Sequence, residues 1–194
     1  FSQKEYKYWM WKDIRNIYRN NWLLLLLFGS SPIVSNNLLK KNEIDSLAID
    51  EEYSYFPYAT SLRMSDLGYQ NTVNEFNVSL YSVEKYTDSL IKATNEICES
   101  FSHIDSNSQI SPNILQIEDE YYSAARPKSS ISSDERLAKK LIKHGIQYIE
   151  LRSIDIEPFE PIGISLNTIL FLEVFMVFCS LIKSPNICAN EFKT

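Results

Sequence analysis

Residues 4–28 constrain the fold most strongly, because they predict one helix of about seven turns in which apolar side chains recur at steps of three or four. The residues of this stripe are Tyr8, Trp11, Ile14, Ile17 and Tyr18. Residues 22–28 are apolar on every side, so we expect this end of the helix to be buried. Gly29 and the following Pro32 predict that the helix ends near residue 28.

Three further helices are predicted from periodicity and capping residues. They span residues 83–101, with Ser82 as N-cap, and residues 134–143, with Ser133 as N-cap. The third covers residues 166–182 and is apolar enough to be a buried core helix. It contains Glu173 and falls short of the roughly 20 apolar residues that cross a bilayer, so we predict no membrane span.

Alternation of side chains predicts two strands. Residues 113–125 and residues 146–154 both alternate with a period of two, and residues 126–128 between them are predicted to form a loop. Helices and strands do not alternate regularly along the chain, which favours an α+β fold.

Composition excludes several function classes. The net charge of −6 argues against binding to nucleic acid through its phosphate backbone, although it allows a nucleotide to bind at a local basic cluster. Neither of the common glycine-rich phosphate loops is present. The three cysteines are too widely spaced for a zinc or redox motif, and they favour a reducing cytoplasm.

Glu150 and Arg152 form the most informative pair of charges. Two residues apart on a strand, their side chains point to the same face. They are either a structural ion pair or a metal- and phosphate-binding pair, in which the carboxylate holds Mg²⁺ and the guanidinium neutralises a phosphoryl group.

A second charged residue, Arg63, lies among small and apolar residues and therefore needs an anionic partner. Asp66 or a substrate carboxylate could serve. The acidic side chains of residues 118–120, followed by Arg126 and Lys128, are either a solvated strand end or the rim of a substrate site.

Three long motifs in fixed order carry a family resemblance. They are PYATSLRMSDLGY at 57–69, NILQIEDEYYSAARPK at 113–128 and GIQYIELRSIDIEPFEPIGI at 145–164. Weaker matches cover residues 15–32 and 170–179. Together they resemble the proteobacterial type of glutamate–cysteine ligase, across nearly the whole chain.

The resemblance implies an ATP-dependent ligase for the first step of glutathione biosynthesis. Such enzymes phosphorylate the γ-carboxylate of L-glutamate and let the amine of L-cysteine displace the phosphate, with Mg²⁺ or Mn²⁺ bound. The implied fold is glutamine-synthetase-like, with an antiparallel sheet lining a funnel-shaped site and helices packed outside it.

The resemblance also assigns roles to individual residues. Glu150 matches a metal ligand, and Arg152 matches a catalytic arginine that contacts the transferred phosphoryl group. Arg63 matches a catalytic and substrate-binding arginine. Tyr69 and Tyr122 match tyrosines that line the cysteine pocket.

Family length implies that residues 1–194 are the central and C-terminal part of a single catalytic domain whose N-terminal part is missing. The fragment alone is then expected to be inactive, and the full-length protein to be a cytoplasmic monomer that binds neither nucleic acid nor membranes. Two alternatives stay open. One is a carboxylate–amine ligase with another amine acceptor, and the other is a non-catalytic remnant.

Overall fold

The computed structural model describes residues 3–39, 46–65, 68, 76–132, 134–187 and 191. Their helices and strands, in chain order, are α1 (Gln3–Phe28), β1 (Ile33–Ser35), β2 (Leu47–Ala48), β3 (Tyr53–Tyr55), α2 (Val83–Ala93), β4 (Ala125–Lys128), α3 (Leu137–His144), β5 (Tyr148–Leu151) and α4 (Leu166–Leu181). The strands form two antiparallel sheets, ordered β1-β3-β2 and β4-β5. Helices packed with antiparallel strands confirm the α+β prediction.

Helix α1 packs between α4 and the β4-β5 sheet. Its residues Ile17 and Leu24 are fully buried against Ala125 of β4 and against Phe175 and Cys179 of α4. The helix predicted for residues 4–28 is therefore confirmed, and Trp11, Ile14 and Ile17 of its apolar stripe are buried in the core. One face of the β4-β5 sheet is covered by α1, so any functional groups of this sheet must lie on the opposite face.

The register of β4 and β5 decides which side chains lie on that opposite face. Ala125 pairs with Leu151, and Arg126 pairs with Glu150. Directly paired residues of an antiparallel ladder share a face, and neighbours along a strand alternate. Ala125 and Leu151 belong to the core around α1. Arg126, Lys128 and Glu150 consequently lie on the face away from α1.

The strand predicted for residues 113–125 is wrong. Residues Glu118–Glu120 form a 3₁₀ turn, and β4 instead occupies residues 125–128, which were predicted to form a loop. The alternation was misleading because the turn is held by the Arg126 side chain, which donates to the carbonyls of Asp119 and Tyr121. The strand predicted for residues 146–154 is confirmed over its central part, Tyr148–Leu151.

Helix α2 is shorter than predicted. Ser82 caps its N-terminus as expected, with Oγ accepting from the Lys85 N–H at 3.2 Å. The helix ends at Ala93 rather than near residue 101, because the Leu115 N–H donates to the Ala93 carbonyl at 3.1 Å. A distant segment thus donates to a carbonyl at the end of the helix, and the local periodicity of the sequence does not reveal such a contact.

Helix α3 begins at Leu137, and Ser133, its predicted cap, lies outside the described residues. The first turn is instead capped by Glu118, whose Oε2 accepts from the Ala138 N–H at 2.8 Å. A carboxylate is favoured there by the partial positive charge of a helix N-terminus. The helix ends at His144, one residue beyond the predicted end, and the φ of 79° at the following Gly145 suits a residue without Cβ.

Two apolar segments that were expected to be buried are partly exposed. Near the end of α1, Trp22 is 61% exposed and Leu26 is 58% exposed. On α4, only one side is buried, and the other carries an apolar stripe that is between 50% and 77% exposed. This α4 stripe consists of Leu166, Leu170, Val174, Val177 and Leu181. No helix in the described part of the chain combines the length and hydropathy needed to cross a membrane.

Arg126 provides a test of how the β4-β5 sheet is held together. Its side chain is only 4% exposed, and Nη2 donates to three backbone carbonyls, those of Glu118, Asp119 and Tyr121. Replacing Arg126 by methionine leaves these acceptors without a donor. We expect this to lower the free energy of unfolding by about 3 kcal/mol.

The measurement is urea denaturation of the Arg126→Met variant, followed by circular dichroism. Lys92→Met is the control, because Lys92 forms an exposed ion pair with Glu96 at 3.5 Å and should contribute less than about 1 kcal/mol. Equal losses in the two variants would contradict the structural role of Arg126.

Candidate functional site

Glu150 and Arg152 point to the same side of β5, as the sequence predicted. Arg152 Nε lies 3.8 Å from Glu150 Oε1, and Lys128 Nζ lies 3.7 Å from Glu150 Oε2. The Glu150 side chain is 39% exposed, so the pair opens to solvent rather than being locked in a dry core. Lys128 also contacts Asp119 Oδ1 at 3.0 Å. Acidic and basic side chains therefore alternate in one row across the open face of the sheet.

The charges of this row influence one another. Burial on its own would raise the pKa of Asp119, but the hydrogen bond and positive charge of Lys128 together with the charge of Arg126 lower it. Glu150 Oε2 is itself buried and has no hydrogen-bond donor among the described residues. An oxygen of this kind is available to a cation without losing an existing hydrogen bond.

The turn after α1 brings a second segment to this face. The Ser31 N–H donates to the Thr60 carbonyl at 3.1 Å, and the Leu62 N–H donates to the Ser31 carbonyl at 2.9 Å. This approach requires Gly29, because a Cβ there would lie 2.6 Å from the carbonyl of Thr60. Arg63 follows directly and is carried toward the end of β5.

Arg63 is held by four partners. Nε donates to Asp155 Oδ1 at 2.9 Å, and Nη1 donates to the Tyr122 hydroxyl at 3.0 Å. Nη2 donates to the backbone carbonyls of Arg152 and Ile154. The anionic partner that the sequence required is therefore Asp155. Asp66, the candidate considered from the sequence, lies outside the described residues.

Sequence reasoning missed Asp155 because the residue lies directly after the strand predicted for residues 146–154 and no local pattern marks it as the partner of Arg63. The available signal was Arg63 itself, an arginine among small and apolar residues that requires an acid from elsewhere in the chain. For Lys128, the sequence left open a solvated strand end or the rim of a substrate site, and in the structure its Nζ lies beside Asp119 and Glu150.

Tyr122 lies between the two arginines of the site. Its hydroxyl accepts from Arg63 and donates to Met64 Sδ at 3.1 Å. The Arg152 guanidinium lies over its ring, 4.9 Å from the centroid, where a cation–π contact is favourable. The structure thus brings together Arg63, Tyr122, Glu150 and Arg152. Tyr69, the remaining predicted site residue, lies outside the described residues.

This arrangement can bind anions next to a carboxylate that can itself bind a metal cation. Arg63, Lys128 and Arg152 can contact phosphate or carboxylate oxygens, and Glu150 can contribute one oxygen to a hard metal ion. No group of three or more histidine, cysteine, aspartate or glutamate side chains in the described part of the chain could hold a metal. Glu150 would therefore be one ligand among several.

A cavity of about 620 Å³ lies beside this site, against the turn after α1. It is lined by apolar residues, including Phe28, Ile33 and Ile164, and by Asp155 at its edge. Neither Glu150 nor either of the two arginines of the site lines it. Asp155 and Ile154 both line the cavity and accept hydrogen bonds from Arg63, so they connect the cavity to the site.

Comparison with known proteins shows several relatives. Residues 2–194 match the family model of glutamate-cysteine ligase. The chain is 45% identical over 178 residues to the glutamate–cysteine ligase of Janthinobacterium sp. (strain Marseille), which covers 89% of this chain and 34% of that protein. The corresponding enzyme of Azotobacter vinelandii is 42% identical over 184 residues, covering 92% of this chain and 35% of that protein.

Solved structures agree with these sequence matches. The structure of glutamate–cysteine ligase from Francisella tularensis in complex with AMP has a TM-score of 0.87 and 36% identity, covering 94% of this chain and 38% of that one. A bifunctional glutathione synthetase from Pasteurella multocida has a TM-score of 0.68 and 29% identity, covering 95% of this chain and 20% of that one.

The chain spans about a third of the length of the curated relatives it matches. The family match nevertheless covers almost every residue, including all three motifs and the charged row on β5. The chain belongs to the glutamate–cysteine ligase family.

Proposed function

We propose that this chain is the central and C-terminal part of a catalytic domain that joins L-glutamate to L-cysteine at the expense of ATP, the first step of glutathione biosynthesis. The observation that carries this proposal is the row formed by Lys128, Glu150 and Arg152 beside Arg63. It offers cationic groups to a phosphoryl group and a carboxylate to a metal ion.

The reaction needs two transfers. An oxygen of the glutamate γ-carboxylate attacks the γ-phosphorus of ATP, and ADP leaves. The cysteine amine then attacks the acyl carbon of the resulting acyl phosphate, phosphate leaves with the electron pair of the C–O bond, and the amine nitrogen releases one proton to phosphate or water. Negative charge gathers on the phosphoryl oxygens in the first step, so a guanidinium fixed nearby lowers its barrier.

Arg152 suits the role of the phosphoryl contact, because its guanidinium is fixed over the Tyr122 ring at the open end of β5. Arg63 and Tyr122 suit the binding of a substrate carboxylate or amine, and we assign Tyr69 to the same pocket. Glu150 would supply one ligand to Mg²⁺ or Mn²⁺, which neutralises phosphate charge when bound. We further propose that the full-length protein is a cytoplasmic monomer.

The test is an activity assay on the full-length ligase, meaning the complete protein that contains this chain. With glutamate, cysteine, ATP and Mg²⁺, we expect γ-glutamylcysteine, ADP and phosphate in equal amounts, measured by mass spectrometry and a phosphate assay. Cysteine is then replaced by other amines of similar size. ADP release that does not depend on cysteine, or a preference for another amine, would contradict the proposed substrate.

A further inference from the structure

Asp155 has no role in the reaction as described so far, yet its carboxylate is fully engaged. Oδ1 accepts from Arg63 Nε at 2.9 Å. Oδ2 accepts from the Ser31 hydroxyl at 2.6 Å and from the Ser30 N–H at 3.0 Å. The side chain is only 5% exposed, whereas that of Arg63 is 30% exposed. A buried acid therefore joins the turn after α1 to a partly exposed arginine.

The carboxylate is ionised in this environment. Burial would raise the pKa of Asp155, but the hydrogen bonds from Ser31, Arg63 and Ser30 outweigh burial and lower it. A permanent negative charge at this point matches the permanent positive charge of the guanidinium.

The donors of Arg63 show what this arrangement leaves free. A guanidinium has five N–H groups. Asp155 takes the one on Nε, the carbonyls of Arg152 and Ile154 take the two on Nη2, and Tyr122 takes one on Nη1. Within the described residues, a single N–H on Nη1 is left. It belongs to the same nitrogen that donates to the Tyr122 hydroxyl, and the ring of Tyr122 also contacts the Arg152 guanidinium.

We propose that Asp155 is a positioning residue that fixes the Arg63 guanidinium in one orientation, so that its remaining Nη1 N–H contacts an anionic group of an amino-acid substrate. The proposal rests on the ligase function proposed above. It also specifies the contact, because one free N–H allows a single hydrogen bond and excludes the bidentate grip that arginine usually gives a carboxylate.

The geometry explains why a neutral residue at this position would not suffice. An asparagine has only one acceptor oxygen, so it cannot accept both from Arg63 Nε and from the Ser30 and Ser31 donors. Its amide nitrogen then opposes one of these donors, and without the charge the guanidinium can turn its Nε edge toward the substrate or toward solvent. The hydrogen bonds from the Ser30 N–H and the Ser31 hydroxyl hold the Asp155 side chain in place, so it does not move with the guanidinium. The orientation of Arg63 is thus set by the end of α1 through a chain of short hydrogen bonds.

The first test measures the kinetics of Asp155→Asn in the full-length ligase. We expect KM for one amino-acid substrate to rise by about tenfold or more, with KM for ATP changed by less than about threefold. Glu160→Gln, which removes a carboxylate five residues along the chain, should leave all constants unchanged. A parallel rise of KM for ATP, or a loss of kcat with every KM unchanged, would overturn the proposal.

A double-mutant cycle separates positioning from general support of the fold. In the Arg63→Lys background, Asp155→Asn should raise KM by less than about twofold further, because its effect passes through Arg63. Effects that multiply would show that Asp155 acts elsewhere, and the proposal would fail. If Asp155→Asn does not fold, Asp155→Glu takes its place in the cycle, since it retains the charge and displaces it by one methylene.

A readout independent of activity distinguishes this inference from the proposed function. The Nε–H resonance of Arg63, assigned by its loss in Arg63→Lys, should exchange with water at least about tenfold more slowly in the wild type than in Asp155→Asn. Equal exchange rates in the wild type and in Asp155→Asn would refute the proposal that Asp155 fixes the Arg63 guanidinium. If the Arg63 Nε–H resonance is protected but the full-length protein forms no γ-glutamylcysteine, the proposed ligase function is refuted and the positioning role of Asp155 is not.

Discussion

Replacing Arg152 by alanine is expected to lower kcat of the full-length ligase by about 100- to 1,000-fold, the usual cost of removing one fixed donor to a developing negative charge. The side chain is only 27% exposed, and the contacts to Glu150 and to the Tyr122 ring fix its position. Because this charge is needed mainly in the transition state, KM for ATP should change much less than kcat.

Arg152→Lys tests the origin of this loss. Lysine keeps the charge but loses the planar group that stacks on Tyr122, so we expect an intermediate loss, about 10- to 100-fold. Arg136→Ala is the matched control, since Arg136 is an exposed arginine just before α3. The measurement is the initial rate of ADP release at saturating substrates. A loss below about tenfold in Arg152→Ala would remove Arg152 from the phosphoryl-transfer step.

The second large effect concerns the isolated 194-residue chain, which is expected to form no measurable γ-glutamylcysteine. Glu150 offers one carboxylate, and two cations, Lys128 and Arg152, lie within 4 Å of its oxygens. A site for Mg²⁺ needs about six oxygen ligands in octahedral geometry, including more than one from protein or phosphate. Without the metal ion, the charge of the ATP phosphates stays uncompensated.

Two measurements on the isolated chain check this expectation. Mass spectrometry should find no product above the background of a heat-treated sample. Titration with Mn²⁺, followed by the electron paramagnetic resonance signal of the free ion, should show no binding tighter than about 1 mM, whereas the full-length ligase removes the free signal at lower concentrations. Product formation by the isolated chain would show that these residues are sufficient for catalysis.

The local sequence pattern predicted those parts of the fold that are stabilised by interactions between residues close together in the sequence. The helix at residues 4–28, the cap at Ser82 and the end of α3 next to Gly145 depend on neighbours in sequence, and the first two are confirmed, the third to within one residue. The shared face of Glu150 and Arg152 follows from strand geometry alone, and it too is confirmed.

The failures have a common physical cause, which is satisfaction of polar groups by distant residues. The Arg126 side chain folds residues 118–121 into a turn, although their alternation resembles a strand. Glu118 caps a helix that begins 19 residues later. Asp155 neutralises Arg63 across 92 positions of sequence. None of these contacts leaves a periodic signal, and each became visible only when the chain was folded.

The roles assigned to Arg63, Tyr69, Tyr122, Glu150 and Arg152 stay predictions until the kinetic experiments are done. The fold brings four of these five side chains into one region, which is a necessary condition for these roles. Only the family resemblance connected these separate motifs beforehand, because spacing along the chain does not determine which loops meet in space.

The α4 stripe has a practical consequence for anyone who purifies this polypeptide by itself. Five aliphatic side chains along one side of this 16-residue helix are exposed to solvent. Copies of the molecule are expected to associate through this surface, because burying apolar side chains is favourable. If the particle size increases with protein concentration and decreases in mild detergent, the change reports association through the exposed α4 stripe. It would say nothing about how many subunits the working enzyme contains.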